Sequence, residues 1–205
     1  MGVMIGALGW EHAGWQDDYY PDDLPSDWRL SYYANDFPAV MLPWESWGGA
    51  SLKDIATWVD DVHEAFRFFL QLGKSYDQDR WPELQQRLAL FSDQLGGLLL
   101  SGDQMQDDQA MLLSELGVTC YQAKKSDFSI AHGCWQVAVG QSQISSTILL
   151  LDSGVNSNLR QIRGALEQIA GAGNGEQLTA LFFNGKPPSV SVMHEASVLT
   201  ELMGI

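Results

Sequence analysis

Short apolar runs alternate with amphipathic helical patterns along almost all of this chain, and that alternation restricts the fold more than any other feature. Strand, helix and strand in succession build a parallel sheet, because a parallel pair needs a long crossover that a helix supplies. Val3 to Leu8 is the first buried run. Ser26 is placed to cap a helix through Asn35. Ala39 to Leu42 reads as the second strand, ended by Pro43. Ser51 and Asp54 have the spacing of a capping box, with Asp in place of Glu, ahead of a helix to about Val62. Phe66 to Leu72 is a third strand. Pro82 suits a first helical turn, and Leu84, Leu88, Phe91 and Leu95 follow at helical spacing. Leu98 to Leu100, a helix over Asp107 to Leu116 and a strand over Val118 to Gln122 continue the pattern.

One stretch breaks the rhythm. Trp135 to Val139 and Thr147 to Leu151 both read as strands, with only Gly140 to Ser146 between them. A parallel crossover needs about a dozen residues or more, so the spacing predicts an antiparallel hairpin or a gap in the sheet. Asn156 or Ser157 then opens a helix to Ala170, stopped by Gly171-Ala172-Gly173. Leu178 to Phe183 is the last strand and Val192 to Leu202 the last helix. Eight strand candidates in 205 residues predict a single α/β domain over 1–205, a shortened or irregular β/α barrel of the TIM type. A doubly wound open sheet is the structural alternative.

Composition narrows the class further. The chain is 45% hydrophobic and 18% charged, which suffices for one sizeable core. No stretch of about 18 apolar residues is present, so no membrane span is expected, and Met1-Gly2-Val3-Met4-Ile5 lacks the basic region of a signal peptide. Cys120 and Cys134 have no metal-ligand spacing and read as buried thiols of a cytoplasmic protein. Net charge is −15, and Asp17, Asp18, Asp22, Asp23 and Asp27 all precede the first basic residue, Arg29. Repulsion from phosphates opposes nucleic-acid binding. The expected partner is a small molecule or a protein, and the composition leaves the oligomeric state open. No Walker loop, nucleophile elbow or dinucleotide fingerprint occurs, so no cofactor and no metal are implied.

The opening of the chain carries a resemblance. Ile5-Gly6-Ala7-Leu8-Gly9-Trp10, Gly14-Trp15, Tyr19-Tyr20-Pro21, Trp28, Tyr32-Tyr33-Ala34, Phe37 and Val40 resemble the first part of the YecE-like family, a domain of unknown function with a TIM-type barrel. Phe66-Arg67-Phe68, Leu95-Gly96-Gly97-Leu98-Leu99 and Leu181-Phe182-Phe183-Asn184 resemble its third, fourth and eighth strands. The departures bear on function. Where the family carries an acidic residue and an asparagine on its second strand, this chain has Met41 and Pro43. Where the family has a lysine ending the third strand and a glutamine after the fourth, it has Gln71 and Ser101. A polar pair near the seventh strand aligns loosely with Leu150 and Asp152. Losing a carboxylate and an ammonium together removes proton-transfer and charge-stabilising groups.

In a β/α barrel the carboxyl ends of the strands build the site. The expected reading is a binding or regulatory module without catalytic residues, its aromatic pocket lined by Trp10, Trp15, Trp44, Trp47 and Asn184. The aromatic rings offer stacking surfaces. The alternative is a hydrolase-type enzyme with a relocated acid/base site drawn from Glu11, His12, Glu45 and Asp152. Whether the chain is an enzyme is left open by the sequence.

Overall fold

Eight strands close into a barrel in chain order in the computed structural model, which describes residues 2–73, 80–100, 113, 117–124, 131–137, 147–152, 159–171 and 179–205. The strands β1 (Met4–Leu8), β2 (Ala39–Leu42) and β3 (Arg67–Gln71) are successive parallel neighbours, as the alternation predicts. β4 (Leu95–Leu100) and β5 (Cys120–Ala123) extend the parallel run. β7 (Thr147–Asp152) pairs parallel with β8 (Ala180–Asn184), and β8 closes on β1. Closure rules out the open doubly wound sheet.

β6 (Ala131–Val137) runs against both neighbours. The cause is connection length. Residues 124–130 separate β5 from β6, and residues 138–146 separate β6 from β7. Neither stretch reaches the dozen residues that a parallel crossover requires. The expected antiparallel hairpin is therefore present as the β6–β7 pair, and the sheet closes without a gap. Because β6 is inverted, its amino end lies level with the carboxyl ends of the others; Ala131 pairs with Leu151.

Strand parity sorts the side chains into two cores. Met41, Phe69, Leu99, Tyr121, Leu150 and Phe182 pack inside the barrel. Val40, Leu42, Phe68, Leu70, Leu149 and Leu181 point outward and are covered by helices. A strand alternates its faces with period two, so every strand that is buried on both sides reads as a continuous apolar run. β4 begins at Leu95, before the expected Leu98. The glycines that obscure its start give room to a neighbour: a methyl group on Gly96 would lie 2.6 Å from the Phe69 ring.

The helices with both ends among the described residues are α1 (Arg29–Asp36), α2 (Trp44–Trp47), α3 (Leu52–Asp60), α4 (Trp81–Phe91), α5 (Leu159–Gly171) and α6 (Val190–Met203). Ser26 does not cap α1. Ser26–Trp28 forms a 3₁₀ turn instead, closed by Trp28 N–H donating to Pro25 O at 3.0 Å, and α1 begins after it without a side-chain cap. The expected helix over Asp107 to Leu116, apart from the buried helical residue Leu113, lies outside the described residues, as do Asn156, Ser157 and Ser101. None of the described helices is long and apolar enough to cross a membrane.

The capping box at α3 is complete. Ser51 Oγ accepts from Asp54 N–H at 3.1 Å, and Asp54 Oδ2 accepts from Ser51 N–H at 3.2 Å and from the Ser51 hydroxyl at 2.7 Å. Those donors hold the Asp54 carboxyl below its usual range. Ser51→Ala is expected to cost about 1 kcal/mol of stability. A depressed carboxyl stabilises the fold above its unfolded pKa and loses that contribution as pH falls through its folded pKa. The deficit of the variant should therefore be full near neutrality and shrink on acidification, read by urea denaturation at several pH values. A deficit that grows in acid would refute this account.

Candidate functional site

Gly9, at φ +82°, turns the chain out of β1, and a glycine takes this left-handed conformation without strain. The turn carries Trp10, Glu11 and His12 over the carboxyl ends of the strands. There they border a cavity of about 260 Å³ with Leu8, Gly9, Pro43, Ser46 and Asn184. Asn184 ends β8 and stands in register beside Asp152, the exposed last residue of β7. The mouth thus joins the ends of β1, β2 and β8, with Asp152 one strand away.

His12 is held in one state. Its Nε2–H donates to the Leu8 carbonyl at 3.0 Å, so the neutral ring keeps Nδ1 as an acceptor. Its ring lies edge-on to Trp15, with centroids 4.4 Å apart. Burial pulls its pKa below the ordinary value, outweighing the backbone hydrogen bonds that raise it. A histidine buried neutral must take up its proton at a cost, so its contribution to stability is present above about pH 6.5 and falls away below it. His12→Gln should flatten the acid limb of the stability profile below about pH 6.5, measured by thermal melts. An unchanged limb would contradict this assignment.

The four tryptophans expected to line an aromatic pocket divide. Trp10 lines the mouth, but it is only 5% exposed and its ring packs edge-on against Trp58 at 5.2 Å. Trp15 is buried, and its Nε1–H donates to Pro188 O at 2.8 Å. Its ring faces Tyr19, Tyr20 and Tyr33, beside a separate cleft of about 280 Å³ bordered by Asp18 and Pro187. Trp44 is half-buried over Gly48 and Gly73, next to Arg80, Glu83 and Arg87. Trp47 is fully buried, and its Nε1–H donates to Gln71 O at 2.9 Å.

Helical geometry explains the division. Residues three apart share a face. α2 therefore sets Trp44 and Trp47 together, with ring centroids 4.9 Å apart, and turns Pro43 and Ser46 to the mouth. Ser46 was hidden from sequence reasoning because 43–47 reads as a loop. Ser46 N–H donates to Pro43 O at 3.0 Å and closes the single turn that sets both residues at the mouth. Glu45, on the same short helix, is exposed and lies outside the mouth lining.

Met41 and Gln71, where the resemblance implies charge, form a neutral pair. Gln71 Nε2 lies 3.2 Å from Met41 Sδ, and Met41 is fully buried inside the barrel. No lysine or arginine lines the mouth among the described residues, and these form no group of three or more histidine, cysteine or acidic residues able to hold a metal.

The comparisons with known proteins agree with the architecture. The family described as protein of unknown function DUF72, which is the YecE-like family, matches residues 4–113. No match was found among curated proteins. A DUF72 family protein from Thermotoga maritima MSB8 is similar in structure with a TM-score of 0.63 and 14% identity, covering 100% of both chains. A DUF72 family protein from Enterococcus faecalis V583 has a TM-score of 0.53 and 13% identity, covering 99% of this chain and 96% of its own. At these identities the structural likeness establishes the fold alone. The sequence match spans more than half of the chain, with the strands β1 to β4 inside it, and the chain belongs to the DUF72 family.

Proposed function

We propose that the protein is a catalytically silent binding module, one domain over residues 1–205, that holds a small molecule at the barrel mouth. The observation that carries this reading is the cavity of about 260 Å³ at the strand carboxyl ends, where Trp10, Leu8 and Pro43 supply apolar wall and Ser46 and Asn184 supply hydrogen bonds. Three apolar side chains set against four polar ones, Glu11 and His12 included, offer a small ligand both a wall and oriented hydrogen bonds. The neutral Met41–Gln71 contact supports the absence of catalysis, since neither residue donates or fixes charge for a reacting group. Two buried thiols, Cys120 and Cys134, accord with a reducing, cytoplasmic setting. An acidic chain accords with a partner other than nucleic acid.

The hydrolase reading draws on one observation: Glu11 and His12 border the same cavity. Against it, Nε2 of His12 is committed to a backbone carbonyl and burial disfavours the protonated ring, so His12 is a poor general acid. Glu45 stands apart from the mouth. The test is a small-molecule screen by amide NMR on the full chain. Binders should shift Leu8 to His12, Ser46 and Asn184 and be recovered unchanged. Ser46→Trp, which fills the cavity, should abolish those shifts and keep the melting temperature. Hydrolysed ligand, with turnover lost in Glu11→Gln, would replace the binding reading by the enzyme.

A further inference from the structure

We infer that the mouth ligand is an organic ammonium, a small molecule carrying a primary amine on a short hydrocarbon frame. This rests on the mouth being the binding site.

The chemistry of the lining selects the ligand. Its polar side chains are Glu11, His12, Ser46 and Asn184. A carboxylate only accepts hydrogen bonds, and His12, with Nε2–H given to Leu8 O, has only the Nδ1 lone pair left to offer. Ser46 and Asn184 both accept as well as donate. The lining is therefore rich in acceptors, and a ligand that matches it is rich in donors. A primary ammonium has three donors and no acceptor.

Charge points the same way. The mouth has no lysine or arginine among the described residues that line it. Burial keeps His12 neutral, so it adds no positive charge. Glu11 carries the only formal charge among the described residues that line the cavity, and that charge is negative. A net charge of −15 adds a long-range field that draws cations and repels anions. An anionic ligand would lie beside the Glu11 carboxylate, with no lysine or arginine of the described lining to balance it. A neutral polyol would meet acceptors without using the field. Leu8, Trp10 and Pro43 form an apolar wall for the methylene frame of an amine.

The experiment is calorimetric titration of the full chain with putrescine, and with sorbitol and succinate as neutral and dianionic comparators. Putrescine should bind, and more weakly as salt rises, because the attraction is screened. Glu11→Gln should weaken it about tenfold, the effect of removing one charge-assisted hydrogen bond. Glu195→Gln, on the exposed face of α6, should leave it unchanged. Failure of putrescine to bind, or tighter binding of sorbitol or succinate, overturns the ammonium assignment. The location is read separately. Ser46→Trp should abolish putrescine binding, and binding that survives it would overturn the assignment together with the mouth as its site.

Discussion

Gly6→Ala should leave little folded protein, with a loss of about 3 kcal/mol or more, at or beyond the upper end for overpacked cores. Gly6 sits on β1 between Ala39 of β2 and Phe182 of β8. A methyl group there would lie 2.1 Å from the Ala39 carbonyl oxygen and 3.0 Å from the Phe182 ring. A side-chain tip could turn away, but the carbonyl cannot. It accepts from the Tyr33 hydroxyl at 2.9 Å, and that hydroxyl also accepts from Ala7 N–H at 2.8 Å. Tyr33 is fully buried, and burial pushes its hydroxyl pKa well above the ordinary value, so it stays protonated and bridges β1 and β2. The measurement is soluble yield and near-ultraviolet circular dichroism against the parent. A native spectrum with an unchanged melting temperature would show that β1 and β2 separate readily and that closure does not depend on their contact.

The same contacts show why the barrel was legible and the mouth was not. Strands buried on both faces read as unbroken apolar runs, and the crossover rule turns their spacing into direction. The rule detected the reversal at Thr147 because Gly140 to Ser146 is short. Applied one connection earlier, to residues 124–130, it identifies both flanks of β6 as antiparallel. Ser26 misled because a capping residue type is not a cap when Pro25 starts a 3₁₀ turn ahead of the helix. Trp10, Glu11 and His12 were placed at the mouth because they follow the first strand, and Asn184 because the resemblance implies it; all four border the cavity. Ser46 was not, since nothing in the spacing of Pro43, Trp44, Glu45 and Trp47 distinguishes a loop from a single helical turn. Which way a four-residue helix faces depends on what Trp47 can reach, and its partner, the Gln71 carbonyl, is far away in sequence.

Trp47→Ala follows from that partner. The ring is fully enclosed, donates to Gln71 O at 2.9 Å and meets Trp44 edge-on. Truncation opens a cavity and leaves the carbonyl at the end of β3 without its indole donor, so the expected loss is about 3–5 kcal/mol. For a chain of this size that lowers the melting temperature by about 6–20 °C. Trp47→Phe keeps most of the apolar contact and removes only the donor, so its loss should be roughly 1–3 kcal/mol. Ligand affinity at the mouth should hold in the folded fraction of both variants, because Pro43 and Ser46, not the indoles, border the cavity. Thermal melts and titrations on the same samples separate the two effects. Lost binding with a parental melting temperature would return Trp47 to the binding surface and show that α2 turns over when ligand arrives.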